Sequence, residues 1–495
     1  MSHVQKAARG ALWTVLSSMG GRVIGVLGTL IMTRFMFPEI IGEVTDASII
    51  AMSMSWVSSI GFSQYAVVKG RGPFELEVTW HAAVFNIVLG TIALGGCAAF
   101  GGRLASIFGA PNAAAYVPGM ALAVWIRRWG TIPERILTRR MNFRASGMAQ
   151  MVGEFAYTAI ALSLAALGFG GSDHPGQAIV VANIVQSIAM SAIVIRASGL
   201  AAWTTPTPLR WMRIKDMLKF GIPMMIQNLA HAGSRYWDNL LITRCFGTTA
   251  AGTYNMAYNL ADIPAIQVGE QFALVLMPSM AELPPERRAR AFERSSGLLA
   301  LILFPLAVGL GLVAYPLIEL LLPSNKWQDV APLLVVLSSL SIFRPITWVV
   351  SAYLEASSKT GRLMWLEIGK TAILLVGIAV LAEYGLRAAA AAVGVSFGLM
   401  AIAGVIMVLR EGPSPARLVL GFARPLVACG VMAVATRAVG YGLAAVGLDH
   451  AAVLLVSEIL AGALGYVAAA FAIAPDAVRD LLMLLKQALK KRSDD

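Results

Sequence analysis

The chain is a succession of apolar stretches of about 20 residues, each the length an α-helix needs to cross the roughly 30 Å of bilayer hydrocarbon. Hydrocarbon offers backbone N–H and C=O groups no partner, so such stretches fold as helices that satisfy their own hydrogen bonds. About fourteen spans are predicted over the 495 residues, the first near 11–33, the seventh near 217–243, the eighth near 249–279 and the last near 451–474. Composition agrees: 58% of residues are hydrophobic, 13% are charged and the mean hydropathy is +0.72, which excludes an ordinary soluble protein. The expected fold class is an all-α polytopic membrane protein. The eighth span is long enough that it should tilt, bend or extend beyond the bilayer. The first carries Arg22 and lacks a small-residue cleavage site, so it should stay as a helix rather than leave as a signal peptide.

A formal net charge of +12 raises nucleic acid as a partner, and the placement of the charges excludes it. With the N-terminus inside, about three quarters of the 39 Lys and Arg fall on the cytoplasmic side, as the positive-inside rule requires. They are dispersed over short loops such as "RRWGTIPERILTRRMNFR" (127–144) and "PPERRARAFER" (284–294), whereas "GFGGSDHPG" (168–176) has none and faces out. Both termini are then cytoplasmic. "DAVRDLLMLLKQALKK" (476–491) has a leucine-rich and a lysine-rich side, so 476–495 reads as an amphipathic tail helix on the anionic inner leaflet. Cys97, Cys245 and Cys429 lack metal-ligand or disulfide spacing and read as packing thiols, so no metal site is expected.

An internal repeat organises the spans. A shift of 210 residues lays "TRFMFPEIIGEVTDA" (33–47) on "TRCFGTTAAGTYNMA" (243–257), matching Thr33 with Thr243, Arg34 with Arg244, Gly42 with Gly252 and Ala47 with Ala257. Both copies fall at the outer junction between the first two helices of a six-helix set. An even number of helices per set makes the copies parallel, and parallel repeats with a substrate site between the halves build several alternating-access transporters. The expected domains are an N-lobe (1–198), a cytoplasmic linker (199–216), a C-lobe (217–410), spans thirteen and fourteen (411–475) and the tail.

These residues resemble the polysaccharide transporters, or lipid-linked oligosaccharide flippases, of the multidrug/oligosaccharidyl-lipid/polysaccharide exporter superfamily. The resemblance covers essentially the whole chain. It is carried by the span number, the repeat, the outer-turn pattern Gly42, Val44, Ala47 and Gly252, Tyr254, Ala257, and the loop pattern Pro133, Leu137, Arg139, Arg140, Met141, Phe143, Arg144. Val44 departs from the family's more usual aromatic. The resemblance implies two six-helix lobes around a central cavity, plus two peripheral helices for a lipid tail. It implies a bacterial cytoplasmic (inner) membrane, an undecaprenyl-diphosphate-linked glycan as cargo, membrane lipids as surroundings, and a polysaccharide polymerase and export machinery as partners.

Independent of that resemblance, ionisable residues inside a membrane usually face a protein interior or a wet cavity and are functional candidates. In the seventh span Asn228, His231, Arg235, Asp238 and Asn239 recur at three- and four-residue steps, which predicts one helical stripe. In the eighth, Asn255, Asn259, Asp262 and Glu270 do the same. Arg22 and Arg344 lie at mid-depth in the first and tenth spans, Glu154 in the fifth, and Glu367 and Lys370 one turn apart in the eleventh. A guanidinium stays charged at low dielectric and holds phosphate oxygens bidentately, so Arg22 and Arg344, with Arg235 and Lys370, are the candidates for an anionic cargo. Asn228, Asn255, Tyr258 and Asn259 suit sugar hydroxyls. Asp238, Asp262, Glu154, Glu270, Glu367 and His231 are candidates for coupling, since a buried acid can become a proton or sodium site. No cofactor is expected beyond a proton or sodium gradient or the membrane potential.

Each candidate has a plainer reading. Arg235 with Asp238, and Glu367 with Lys370, have the three-residue spacing of self-neutralising pairs. His231 could equally be a packing histidine, and Gly21-x-x-x-Gly25 reads as close helix packing. The expected function is translocation by alternating access, not catalysis: every outer loop looks too short for a catalytic constellation, and "GKT" (369–371) has Met364 where a phosphate loop needs its first Gly. The competing readings are a multidrug or organic-cation antiporter and a lipid-linked peptidoglycan-precursor flippase.

Overall fold

The computed structural model describes residues 20, 24–70, 74–140, 142–270, 272, 276, 279–280, 283–323, 326–357, 359–448 and 450–483. Among them every regular element is a helix, and ten helices are long and apolar enough to cross a membrane. That number is compatible with about fourteen spans. The helix Val117–Arg139 carries several charges, and the first and eighth spans run partly outside the described residues. The chain divides into two compact units, Met1–Gly252 and Thr253–Asp495.

In the first unit a helical stretch over 24–32 precedes α1 (Pro38–Ser59), α2 (Glu75–Ala99), α3 (Val117–Arg139), α4 (Phe143–Ala166), α5 (Gln177–Ser198), α6 (Trp211–Ala232) and α7 (Asp238–Phe246). Pro38 begins α1, where its missing N–H is no loss. The helix ends where Ile60 and Gly61 both turn left-handed, at φ 38° and 60°. The core groups Val44, Ile49 and Ile50 of α1 with Tyr116, Val117, Ile179 and Leu240.

Two glycine pairs bring the backbone of α1 against later helices. A Cβ at Gly42 would overlap the Thr248 carbonyl oxygen, and one at Gly252 that of Pro38; a Cβ at Gly61 would lie 2.8 Å from Gly221 Cα. Between these ends Trp237 Nε1 donates to Ser53 Oγ at 3.0 Å, and Trp56 stacks on Tyr236 with centroids 5.4 Å apart. Small residues where backbones meet are how helices pack in lipid, where apolar side chains gain nothing by leaving the solvent. The seventh span, α6 to α7, thereby belongs to the first compact unit.

The second unit takes most of α8 (Thr248–Pro264), then α9 (Pro285–Leu312), α10 (Val330–Leu337), α11 (Leu340–Ala356), α12 (Thr360–Leu381), α13 (Leu386–Leu409), α14 (Pro415–Ala445) and α15 (Ala451–Ile473). Helices α14 and α15, the predicted thirteenth and fourteenth spans, pack on α9, and the Tyr466 hydroxyl donates to the Leu301 carbonyl at 2.7 Å. The predicted tail helix is helical over 475–483, and 484–495 lie outside the described residues. Val478 and Leu481 enter the core around Ala300 and Phe304, and Asp480 pairs with Arg294 at 2.8 Å. The start of the tail therefore packs on protein rather than on lipid, and Leu482 and Met483 stay exposed.

Candidate anion-binding site

The second unit gathers two of the predicted bases with two of the predicted acids. Arg344 lies on α11, and its Nη1 is 2.5 Å from Asp262 Oδ2 on α8, both side chains only 4% exposed. Pro345 follows Arg344 and supplies no N–H to the helix. Beside it the Ser341 hydroxyl donates to the Ala261 carbonyl at 2.5 Å, tying α11 to α8 at the level of the ion pair. Lys370 on α12 pairs with Glu367 at 2.7 Å, which realises the three-residue pairing that the spacing allowed.

Both cations face one aromatic ring. The Arg344 guanidinium carbon is 5.7 Å and Lys370 Nζ 4.9 Å from the centroid of Phe397, with Trp348 a second face at 5.5 Å from the guanidinium. Cations placed on ring faces are attracted by the quadrupole, so the aromatic shelf helps keep two like charges close. The cluster is balanced, two bases against two acids. The cavity beside Lys370, lined by Thr347, Ser351, Glu367 and Met400, measures about 10 Å³, room for roughly one water. Each cation is thus already held by a carboxylate, and the space beside Lys370 is small.

On α8 the Asn259 Nδ2 donates to Asn255 Oδ1 at 2.9 Å, and Asn259 is exposed. Tyr258 is buried against Tyr254, with centroids 5.9 Å apart. Glu270 ends the π-helical turn Ala265–Glu270, and nothing further is described of its side chain. Arg22 lies outside the described residues.

The stripe predicted for the seventh span does not stay on one face. A π-helical turn, Gly233–Trp237, separates α6 from α7 and inserts extra residues into the register. His231 is exposed and Asn228 half-buried, whereas Asp238 and Asn239 beyond the turn are buried. Arg235, inside the turn, sits 5.6 Å from the Tyr236 ring, and Asn239 Nδ2 donates to Asp238 Oδ1 at 3.2 Å. Glu154 on α4 accepts from Gln186 at 3.1 Å and faces the 24–32 helix, where a Cβ on Gly25 would lie 3.2 Å from it. Close packing at Gly25 agrees with the plainer reading of that glycine.

Three features escaped the sequence reading. Arg128, counted with an inner basic loop, is buried on α3 and donates to the Ser55 and Ser58 carbonyls at 3.0 and 2.9 Å and to the Asn86 carbonyl at 2.7 Å. It caps the last turn of α1, where carbonyls lack intrahelical donors. Arg139 and Arg140 are structural in the same way: Arg139 bonds Glu75 and the Gly70 carbonyl, and Arg140 the Ser198 carbonyl at 3.0 Å. Asp46 is wholly buried on α1 and accepts from the Thr243 hydroxyl on α7 at 2.7 Å. The signal for it was available, since the 210-residue shift sets this acid against Met256.

A multi-pass, all-helical membrane protein is the class these features define. The fold is that of a lipid II flippase, MurJ, in its inward closed conformation, with a TM-score of 0.75 at 12% identity over 94% of this chain and all of that one. An inward-facing multidrug resistance transporter of the MATE family also superposes, at TM-score 0.55 and 15% identity over 82% of this chain and 94% of that one. The family model described as polysaccharide biosynthesis protein matches residues 31–332, and the chain belongs to that family. Relatives include the succinoglycan biosynthesis transport protein ExoT of Rhizobium meliloti, 27% identical over 73% of this chain and 72% of that one. The lipopolysaccharide biosynthesis protein WzxC of Escherichia coli is 20% identical over 81% and 79%.

Proposed function

We propose that the protein is a flippase that carries a polyprenyl-diphosphate-linked oligosaccharide repeat unit from the inner to the outer leaflet of a bacterial cytoplasmic membrane, by alternating access. The observation that carries this reading is the Arg344–Lys370 cluster in a chain whose family serves polysaccharide biosynthesis. In the empty state Asp262 and Glu367 neutralise the two bases; when the diphosphate arrives, its oxygens replace the carboxylates and the cations are never left bare. Arg22 and Arg235 of the first unit are further candidates for contact with the head group. Asn228, Asn255, Tyr258 and Asn259 exchange hydrogen bonds with sugar hydroxyls, which tolerates variation in the glycan.

The acids freed by that exchange, with Asp238, Glu154, Glu270 and His231, are the groups available to a proton or sodium gradient or to the membrane potential. No bond of the cargo is made or broken, so the protein is a transporter and not an enzyme. Both termini lie in the cytoplasm, and a polysaccharide polymerase and export machinery receive the product outside. An organic-cation antiporter of the same fold would offer its cargo an acid, whereas within this cluster Asp262 and Glu367 are each held by a base. Deletion of the gene tests the reading: a lipid-linked oligosaccharide should accumulate on the cytoplasmic face. Altered drug sensitivity without that accumulation would point to the antiporter instead.

A further inference from the structure

Asp46 stands apart from the other intramembrane acids. Asp262 and Glu367 are each bridged to a base, Arg344 and Lys370. Among the described residues no base pairs with Asp46: the Thr243 hydroxyl donates to its Oδ2 at 2.7 Å, Oδ1 is buried and accepts from no described residue, and Glu43, one turn earlier on the same helix, is also buried. The groups near Glu43 include Glu39 on α1, Asn112 and Tyr116 ahead of α3, and His174 in the loop before α5; from α7 the neutral Thr243 hydroxyl donates to Asp46. An ionised carboxylate without a base beside it is costly to bury, and Asp46 and Glu43 are two buried acids one turn apart.

The fold itself does not ask for an acid here. In the second copy of the repeat the same position is Met256, which is also buried, and Glu43 is replaced by Thr253, while Gly42 and Ala47 are retained as Gly252 and Ala257. The packing residues are kept in both copies and the carboxylates occur in one.

We propose that Asp46 is the proton-binding site through which this transporter is coupled to a proton gradient, with Thr243 as its switching partner. The inference rests on the transport reading above. When Asp46 carries the proton, its O–H can donate to the Thr243 hydroxyl, and α1 and α7 close over a neutral pair. When the proton leaves, the hydroxyl turns to donate to one carboxylate oxygen, the other has no donor in the closed seam, and the charged group draws α1 and α7 apart toward water. Proton occupancy thus biases whether the outer end of this seam is closed.

Infrared difference spectroscopy of the purified full-length protein, titrated across the pH range in which it stays folded, tests the assignment. The wild type should show the carbonyl stretch of a buried carboxylic acid that is lost as the pH rises. Asp46→Asn should lack that band, and Glu43→Gln should retain it. Thr243→Val, which keeps the shape and removes the hydroxyl, should move the midpoint, and this variant decides the matter if Asp46→Asn does not fold. The proposal is overturned if Asp46→Asn retains the band, if Thr243→Val leaves the midpoint in place, or if sodium chloride at fixed pH removes the band as alkali does, which would mark a sodium site. Because the band reports protonation alone, its presence or absence stands apart from whether a glycan lipid is flipped.

Discussion

The Arg344–Asp262 pair lies where a lone charge is least tolerated, with both side chains almost fully enclosed. Removing one member strands the other, which costs about 3–5 kcal/mol for a buried pair, whereas replacing both by apolar residues of similar volume is close to neutral. Asp262→Leu and Arg344→Met should therefore each lower stability in a thermal melt of the detergent-solubilised protein, and the double variant should recover most of the loss while remaining inactive. Equal losses that simply add would show that the two charges do not depend on each other. Arg128 makes a complementary case, since its partners are neutral oxygens. Arg128→Met removes the charged donor shared by the Ser55, Ser58 and Asn86 carbonyls, of which Ser55 keeps the Ser58 hydroxyl, and each lost bond to a charged group costs about 1.5–3 kcal/mol. The same melt should show a loss of several kcal/mol, and an unchanged melting temperature would contradict the capping role. Residues of this kind were unevenly legible in the sequence. Glu367 and Lys370 share a helix and a spacing, so their pairing could be anticipated. Asp262 and Arg344 meet across helices, and no periodicity relates them. Asp46 sits beside the polar turn at a span's edge, where an acid attracts no notice until its burial is seen.

At the scale of elements, α1 is defined by what approaches it. Gly42 and Gly252, matched by the internal repeat, press their backbones together, and Gly61 and Gly221 do so at the other end of the helix. A side chain at either end has no room. Gly252→Val should destabilise by about 1–3 kcal/mol, the usual cost of overpacking, whereas Gly95→Ala on α2, where a Cβ meets nothing within 4 Å, should leave the melting temperature unchanged. Equal tolerance at both positions would contradict the seam. The helices themselves were largely readable, because apolar stretches of membrane length have few alternatives. What periodicity could not supply was the π-helical turn Gly233–Trp237, which has no compositional signature and interrupts the predicted stripe, with His231 exposed before it and Asp238 buried after it. The tail was read as a membrane-surface helix from its leucine-rich and lysine-rich sides; in its described start Val478 and Leu481 belong to the protein's own core.

For the molecule as a whole, span number, charge bias and a repeat of few identities were enough to indicate the fold class, because membrane insertion leaves so few architectures open. The cargo is a harder matter, since phosphate and sugar recognition depends on which side chains meet across helices, and sequence spacing reports only those that meet along one. The central claim is that a diphosphate-bearing lipid crosses the membrane by exchanging onto membrane-embedded bases, Arg344 and Arg22 among them. It is tested most directly in proteoliposomes that hold the purified protein and a fluorescent polyprenyl-diphosphate-linked oligosaccharide, with transfer followed by a membrane-impermeant quencher. The wild type should accelerate transfer, and Arg22→Gln with Arg344→Gln should slow it by about tenfold or more, the loss expected when charge-assisted hydrogen bonds worth about 1.5–3 kcal/mol are removed. Transfer by the double variant at the wild-type rate, or no acceleration by the wild type over empty vesicles, would contradict it.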